Sequence, residues 1–185
     1  DLALHPDFAE NGVVYLSYNK MGDQGVTEAL ARGIFDGTEL TGVTEIFEAD
    51  AWAMTNGRQN ARLTFAPDGT LHMSASVGGD IAAAQDMASH KGKTVRLNDD
   101  GSVPDDNPFA GRAGARGDIF TVGHQNIHGM TVHPETGDIW AISHGDEINI
   151  LSSGGNYGWP YTNSGGGTSQ AYLPMPEGVD LTAAF

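Results

Sequence analysis

Three segments of the chain repeat one pattern of apolar and polar positions. They are residues 2–18 (LALHPDFAENGVVYLSY), 63–75 (LTFAPDGTLHMSA) and 130–142 (MTVHPETGDIWAI). In each segment, alternating apolar positions lie on both sides of a short stretch that contains proline, an acidic residue and glycine. Alternation with a period of two is typical of strands that bury one face, and the interruption is typical of a turn. Each segment therefore predicts a β-hairpin.

The spacing of these hairpins indicates a repeated structural unit. Their turn prolines, Pro6, Pro67 and Pro134, lie 61 and then 67 residues apart, and self-similarity at a nearly fixed period is typical of repeat architectures. Further turn signals at residues 36–37, 99–101 and 154–156 fit the other strands of four-stranded units. We therefore predict an all-β fold of β-propeller blades. An open sandwich or meander is the alternative.

A chain of 185 residues holds just under three such units, whereas closed propellers have about four to eight blades. The chain also begins inside a predicted strand, without an initiator methionine or a signal-peptide pattern. We therefore predict one partial propeller domain over residues 1–185, incomplete at both ends, whose unpaired strands favour self-association. Only residues 81–90 (IAAAQDMASH) favour a helix, of one or two turns.

The composition of the chain disfavours two classes of binding partner and excludes cysteine-based sites. The chain has 24 acidic residues against 9 basic ones, for a formal net charge of −15. Nucleic acids and anionic membrane surfaces both require clustered lysine and arginine, so both are disfavoured as partners. No apolar run approaches the ~20 residues of a membrane span. The absence of cysteine excludes disulfides, thiolate metal sites and cysteine nucleophiles.

Four polar stretches flank the second and third predicted hairpins. Residues 57–62 (GRQNAR) and 123–129 (GHQNIHG) precede them, and residues 77–80 (VGGD) and 143–149 (SHGDEIN) follow them. Because the stretches occupy equivalent places in successive repeats, we expect all four to open on one mouth of the propeller channel. Loops on a rigid scaffold are where binding and catalytic residues concentrate.

Several residues in and near these stretches allow more than one interpretation. His124 and His128 have the spacing of a helical metal pair, but glycines on both sides favour a loop. Asp146 and Glu147 could offer oxygens to Ca²⁺, or they could cap a turn. The acidic residues at 98–101 and 105–107 lack EF-hand spacing and predict turns. The aromatic residues Tyr157, Trp159 and Tyr161 are expected to pack rather than to stack on a sugar.

Motifs along nearly the whole chain together resemble the glucose/sorbosone dehydrogenase family of soluble aldose sugar dehydrogenases. They are LHPDF at residues 4–8, GKTVRLNDDGSVPDDNPF at 92–109, GHQNIHG at 123–129, DEIN at 146–149 and GNYGWP at 155–160. The resemblance implies a six-bladed propeller that is periplasmic or secreted and binds pyrroloquinoline quinone (PQQ) and Ca²⁺ at the channel mouth. It implies oxidation of the C1 hydroxyl of aldose sugars to lactones, with an unidentified electron acceptor.

The resemblance also implies where the general base belongs, and this chain departs from the family there. The family's histidine, which acts on the sugar hydroxyl, falls on Arg58, or on Gln59 if one residue is deleted. A guanidinium stays protonated near neutral pH, and an amide has no useful basicity. Neither residue can therefore replace the histidine as a base.

The cofactor and metal positions differ as well. Asp80 matches a family acid if one extra glycine is accommodated, and Gln125, beside Asn126, stands where the family has arginine. Gln125 can donate a hydrogen bond to a quinone oxygen but brings no positive charge. The Ca²⁺ loop of the family is shortened here, and only Gly145 and Asp146 remain as candidate metal contacts.

These departures leave functions of different classes open. One is a PQQ-dependent sugar dehydrogenase, and another is a non-catalytic propeller whose mouth binds a carbohydrate or a protein. A metal-dependent lactonase would need a metal cage with an open water position, for which Glu147 and Asn149 are the clustered candidates. Because the changed positions lie at the expected chemistry, we expect no quinone-dependent glucose oxidation by this chain.

Overall fold

The computed structural model describes residues 1–54, 59–143, 147–162 and 173–179. Its strands, in chain order, are β1 (Leu2–Leu4), β2 (Val13–Gly22), β3 (Gly25–Phe35), β4 (Leu40–Glu48), β5 (Leu63–Phe65), β6 (Leu71–Ala75), β7 (Lys93–Leu97), β8 (Ile119–Thr121), β9 (Ile127–Val132), β10 (Ile139–Ser143) and β11 (Glu147–Leu151). One α-helical turn, α1 (Phe8–Asn11), and one 3-10 helix, Ile81–Gln85, complete the regular structure of these residues. The all-β prediction is confirmed, and so is a short helix within residues 81–90.

The strands form antiparallel sheets in which neighbours in sequence pair with each other. The first sheet has the order β1-β2-β3-β4, the second β5-β6-β7-β8, and the third β9-β10-β11. Each of the three predicted hairpins opens a separate sheet, and this arrangement is that of successive propeller blades. In the described residues the third sheet has three strands, where the sequence pattern predicted four.

The sheets pack face to face, with their first strands side by side. β1 lies beside β5, and β5 lies beside β9; the backbone N–H of Leu63 donates a 3.0 Å hydrogen bond to the carboxylate of Asp1. Tyr15 and Leu30 of the first sheet share one buried cluster with Leu71 of the second. Removing such apolar surface from water is the main favourable term in packing the sheets.

The first hairpin contains a helical turn that the sequence did not predict. Its connection folds into α1 and ends at Gly12, whose φ is 64° and whose N–H donates to the carbonyl of Phe8. A Cβ atom at Gly12 would lie 2.8 Å from the carbonyl oxygen of Phe35, so glycine is required there both by conformation and by space. The predicted acidic turn at residues 98–101 is confirmed by hydrogen bonds from Gly101 to Asn98 and from Asn98 to Ser102.

The outer face of the third sheet carries exposed apolar side chains. Trp140 and Ile142 of β10 and Ile148 of β11 are exposed, and they share one face because Ile142 pairs with Ile148. Across the described ranges, no helix has the length and apolar character needed to cross a membrane.

Candidate functional site

The strand ends that carry the polar stretches lie at one end of the fold, which we call the mouth. β5 begins where β6 ends, and β9 begins where β10 ends, because the strands of each of these two pairs are antiparallel. The N–H of Val77 donates a 3.1 Å hydrogen bond to the carbonyl of Gln125, which joins the loop after β6 to the loop before β9. The structure therefore brings Asp80, Gln125 and Asn126 to the mouth.

Three predicted site residues lie outside the described residues. They are Arg58, the ungapped position of the family's base, and Gly145 and Asp146, the predicted metal contacts.

Gln59, the other candidate for the base position, is buried against a glutamate that the sequence analysis missed. Glu28 of β3 is fully buried, and Gln59 is 7% exposed. The amide atom of Gln59 that faces the carboxyl lies 2.6 Å from Oε1 and 2.9 Å from Oε2. Ser76 donates its backbone N–H to Oε1 at 2.9 Å. Burial raises the pKa of Glu28 to about 7, against the lowering effect of the Ser76 hydrogen bonds.

The segment that contains Gln59 is hydrogen-bonded to Ser74 near the end of β6 and to Ser76 just beyond it. The N–H of Asn60 donates to Ser76 Oγ at 2.7 Å, and the N–H of Arg62 donates to Ser74 Oγ at 2.9 Å. Together with Ser17 and its neighbours, this segment lines a small polar cavity of about 190 Å³. Arg62 contributes a buried Nε without a hydrogen-bond partner, so the cavity retains an unused donor.

Asp80 is exposed at the mouth rather than enclosed by it. Its carboxylate lies 3.8 Å from the ammonium of Lys91, a distance typical of a weak surface ion pair. The 3-10 helix that follows Asp80 is held in place by Lys93, which is fully buried. Its Nζ donates hydrogen bonds to the carbonyls of Ala83 and Lys91, both at 2.7 Å. Burial lowers the pKa of Lys93 to about 7.

Gln125 and Asn126 follow a buried histidine that fixes their loop. His124 stacks on Tyr157 with ring centroids 4.8 Å apart, and its Nε2 lies 2.8 Å from Thr121 Oγ1. Burial lowers the pKa of His124 to about 3, so its ring is neutral. Asn126 holds its Oδ1 buried without a hydrogen-bond partner, which leaves an unused acceptor at the mouth.

The metal interpretations gain no support from the described residues. His124 is buried whereas His128 is exposed on β9, so the two do not form a metal pair. Asn149 donates to Glu147 at 2.7 Å, and the Oδ1 of Asn149 is buried without a partner. Within the described ranges, no three His, Asp or Glu side chains are grouped to hold a metal.

Two of the three aromatic residues near position 157 serve packing, as predicted. Tyr157 and Trp159 are buried, and the Tyr157 hydroxyl donates to the carbonyl of Ile150 at 2.5 Å. Gln85 and Asn156 exchange two amide hydrogen bonds, of 3.0 and 2.8 Å. The motif therefore links the 3-10 helix to the segment after β11.

Known proteins resemble the chain in sequence. Residues 1–179 match the family model described as Glucose / Sorbosone dehydrogenase. The chain is 41% identical over 174 residues to the uncharacterized protein slr1608 of Synechocystis sp., covering 86% of this chain and 42% of that protein. It is 35% identical over 185 residues to the aldose sugar dehydrogenase YliI of Escherichia coli, covering 96% and 50%. It is 28% identical over 187 residues to quinoprotein glucose dehydrogenase B of Acinetobacter calcoaceticus, covering 85% and 38%.

Solved structures agree with the sequence matches. A glucose dehydrogenase superposes with a TM-score of 0.88 at 31% identity, over 97% of this chain and 55% of that one. The PQQ-bound form of an aldose sugar dehydrogenase from Streptomyces coelicolor superposes with a TM-score of 0.74 at 26% identity, over 92% and 52%. The chain spans half or less of the length of the curated relatives it matches. Its three sheets are propeller blades, and the chain belongs to the glucose/sorbosone dehydrogenase family.

Proposed function

We propose that the chain forms part of the cofactor mouth of a PQQ-dependent sugar dehydrogenase, whose complete ring oxidises aldose sugars to lactones. One observation carries this proposal. The loops at residues 77–80 and 123–129 meet at one mouth, where Asn126 keeps a buried oxygen without a partner. The relatives that support it include a quinoprotein glucose dehydrogenase and a PQQ-bound aldose sugar dehydrogenase.

Gln125 and Asn126 are the residues we propose to hold PQQ. PQQ, when bound, supplies a quinone that accepts two electrons from the sugar. Asn126 offers its unpartnered Oδ1 and an amide N–H, and the half-buried Gln125 offers a second amide. These side chains fit hydrogen bonds to a polar cofactor, but they supply no positive charge. Asp80, the third proposed contact, is exposed and faces Lys91, so it adds a carboxylate at the rim.

Calcium remains part of the proposal through Gly145 and Asp146, which we propose as its contacts in this chain. Both residues lie outside the described ranges. We further propose that residues 1–185 are a partial propeller, that the protein is periplasmic or secreted as the family resemblance implies, and that its exposed sheet faces promote self-association.

The missing base limits what this mouth can do. Gln59 has an amide in place of a basic group and points into the fold toward Glu28. A positioned general base contributes ~10²–10⁴-fold to a rate. We therefore propose that this chain binds the cofactor more readily than it oxidises a sugar.

A non-catalytic propeller is the second candidate function. The observation that favours it is the same engagement of Gln59 with Glu28. In this case the mouth binds a carbohydrate or a protein without oxidising it. Binding of a sugar that does not depend on PQQ would separate this function from the first.

A PQQ titration of the full chain in the presence of Ca²⁺, followed by absorbance and fluorescence, tests the proposed function. We expect saturable binding that the Asn126→Ala variant weakens at least tenfold, because the hydrogen bonds between its amide and the cofactor are lost. Asn98→Ala is the matched control, since its amide lies in the turn after β7, at the end opposite the mouth. Absence of PQQ binding, or equal weakening by both variants, contradicts the proposed function.

A further inference from the structure

A carboxyl group buried between two sheets needs partners to offset the loss of water. Glu28 lies in the middle of the buried stretch of β3 and is fully inaccessible to solvent. Its side-chain contacts come from Gln59, which precedes β5, and from Ser76, which follows β6. In the described part of the chain, no charged side chain contributes to the shift of its pKa. Among the described residues, the hydrogen-bond partners of this carboxyl are therefore neutral amide and serine groups.

Gln59 can hydrogen-bond to Glu28 in either protonation state of the carboxyl. A protonated carboxyl donates its O–H to the amide oxygen of Gln59, while the amide nitrogen faces the carbonyls of Val26 and Ala51, each at 3.4 Å. An ionised carboxylate instead accepts from the amide nitrogen, turned to face it, at 2.6 and 2.9 Å. The two arrangements differ by a half-turn of one amide, and the contact between the residues persists in both.

We infer that Glu28 is a positioning residue of the mouth: its carboxyl fixes the side chain of residue 59 and holds the segment before β5 against the first sheet. This inference rests on the proposed function, in which that segment carries the base position. The carboxyl beside position 59 is that of Glu28, whereas Asp80 is exposed and paired with Lys91. Glu28 acts through residue 59 and has no contact of its own with a substrate.

A histidine at position 59 would lie beside the Glu28 carboxyl. An ionised carboxylate within hydrogen-bond distance orients an imidazole and raises its basicity. The Glu28 carboxyl would therefore support a basic side chain at position 59, where this chain has glutamine. Replacing Gln59 with histidine would create a carboxylate–imidazole pair without any other change.

Nuclear magnetic resonance of the full chain tests the inference without measuring any activity. In the wild type, we expect the Glu28 carboxyl carbon and the Gln59 side-chain amide to titrate together, with a midpoint near pH 7. Glu28→Gln should abolish the titration of the Gln59 amide. Glu45→Gln, at an exposed glutamate of β4, is the matched control and should leave it unchanged.

A second pair of variants tests the same contact through an imidazole, and the wild-type titration does not depend on how Glu28→Gln folds. The imidazole of Gln59→His should titrate at least about one pKa unit higher than in the double variant Gln59→His/Glu28→Gln. Titration of Glu28 near 4.5 without a change at Gln59, or equal imidazole pKa values in the two variants, overturns the inference. Failure to bind PQQ would refute the proposed function and leave this result intact, so the two failures are distinguishable.

Discussion

The backbone N–H of Val77 donates a 3.1 Å hydrogen bond to the carbonyl of Gln125. This bond joins the second sheet to the third at the mouth. The next residue, Gly78, has a φ of 63°, and a Cβ atom there would lie 2.8 Å from Ala53 Cβ and 3.2 Å from the side chain of Gln59. Segments that precede β5, follow β6 and precede β9 therefore meet within a few ångströms.

Ionisation of Glu28 should make the stability of the chain depend on pH. The pKa of Glu28 is raised in the folded state to about 7, from an ordinary value of 4.5, so the folded state binds the proton more tightly than the unfolded state. The stability that protonation contributes is complete below pH 4.5 and is lost as the pH rises through 7, by ~3 kcal/mol. Urea unfolding at several pH values should show this loss in the wild type and not in Glu28→Gln. An equal loss in both proteins contradicts the assignment.

Lys93 should show the opposite dependence. Its pKa is lowered in the folded state to about 7, from 10.5, so the unfolded state binds the proton more tightly. Its contribution to stability therefore increases as the pH rises from about 7 to about 10.5. Urea unfolding across this range should show the increase in the wild type, and Lys93→Met should lack it.

The same variant tests the anchoring of the 3-10 helix. Lys93→Met removes the hydrogen bonds to Ala83 and Lys91, and we expect it to cost about 2 kcal/mol. Lys91→Met keeps the apolar part of this half-buried side chain and removes its 3.8 Å ion pair with the exposed carboxylate of Asp80. It is the control and should change the free energy of unfolding by less than ~1 kcal/mol. Equal effects of the two variants would show that Lys93 does not anchor this segment.

Local patterns predicted most of the fold, because the hairpins depend on signals only a few residues long. Pro67 and Gly69 between alternating strands were sufficient to place the second hairpin, and the connection that follows Asp80 was correctly expected to contain a short helix. The turn α1 was missed because its residues, FAEN, carry no distinctive helical pattern at four positions.

The site was less predictable, because its contacts join distant residues. Glu28 meets Ser76 across 48 positions of sequence, and nothing within β3 signals that its one glutamate faces a loop of the next sheet. β3 shows only a glutamate next to the apolar run Ala29–Ala31, which does not identify the loop that the glutamate contacts. Asp80 illustrates the converse, because its place in the sequence matched a family acid while its carboxylate points to Lys91.

The exposed face of the third sheet should cause the chain to associate. Ile142 and Ile148 are half exposed and directly paired, and an apolar sheet face invites packing against another copy. Sedimentation velocity should show concentration-dependent association in the wild type, reduced in Ile142→Lys/Ile148→Lys. Val103→Lys, at an exposed apolar residue in a connection between strands, is the control and should not reduce it. A wild-type chain that stays monomeric at high concentration contradicts the prediction.

We propose that this mouth keeps the scaffold of a sugar dehydrogenase while position 59 carries no general base. Dye-coupled oxidation of glucose by the full chain with PQQ and Ca²⁺ tests it most directly. We expect no turnover above that of free PQQ, and none in Gln59→His, because the contacts for the quinone and the metal remain incomplete. Turnover at rates ordinary for an enzyme, ~1–10³ s⁻¹, would contradict the account and show that another residue of the chain supplies the base.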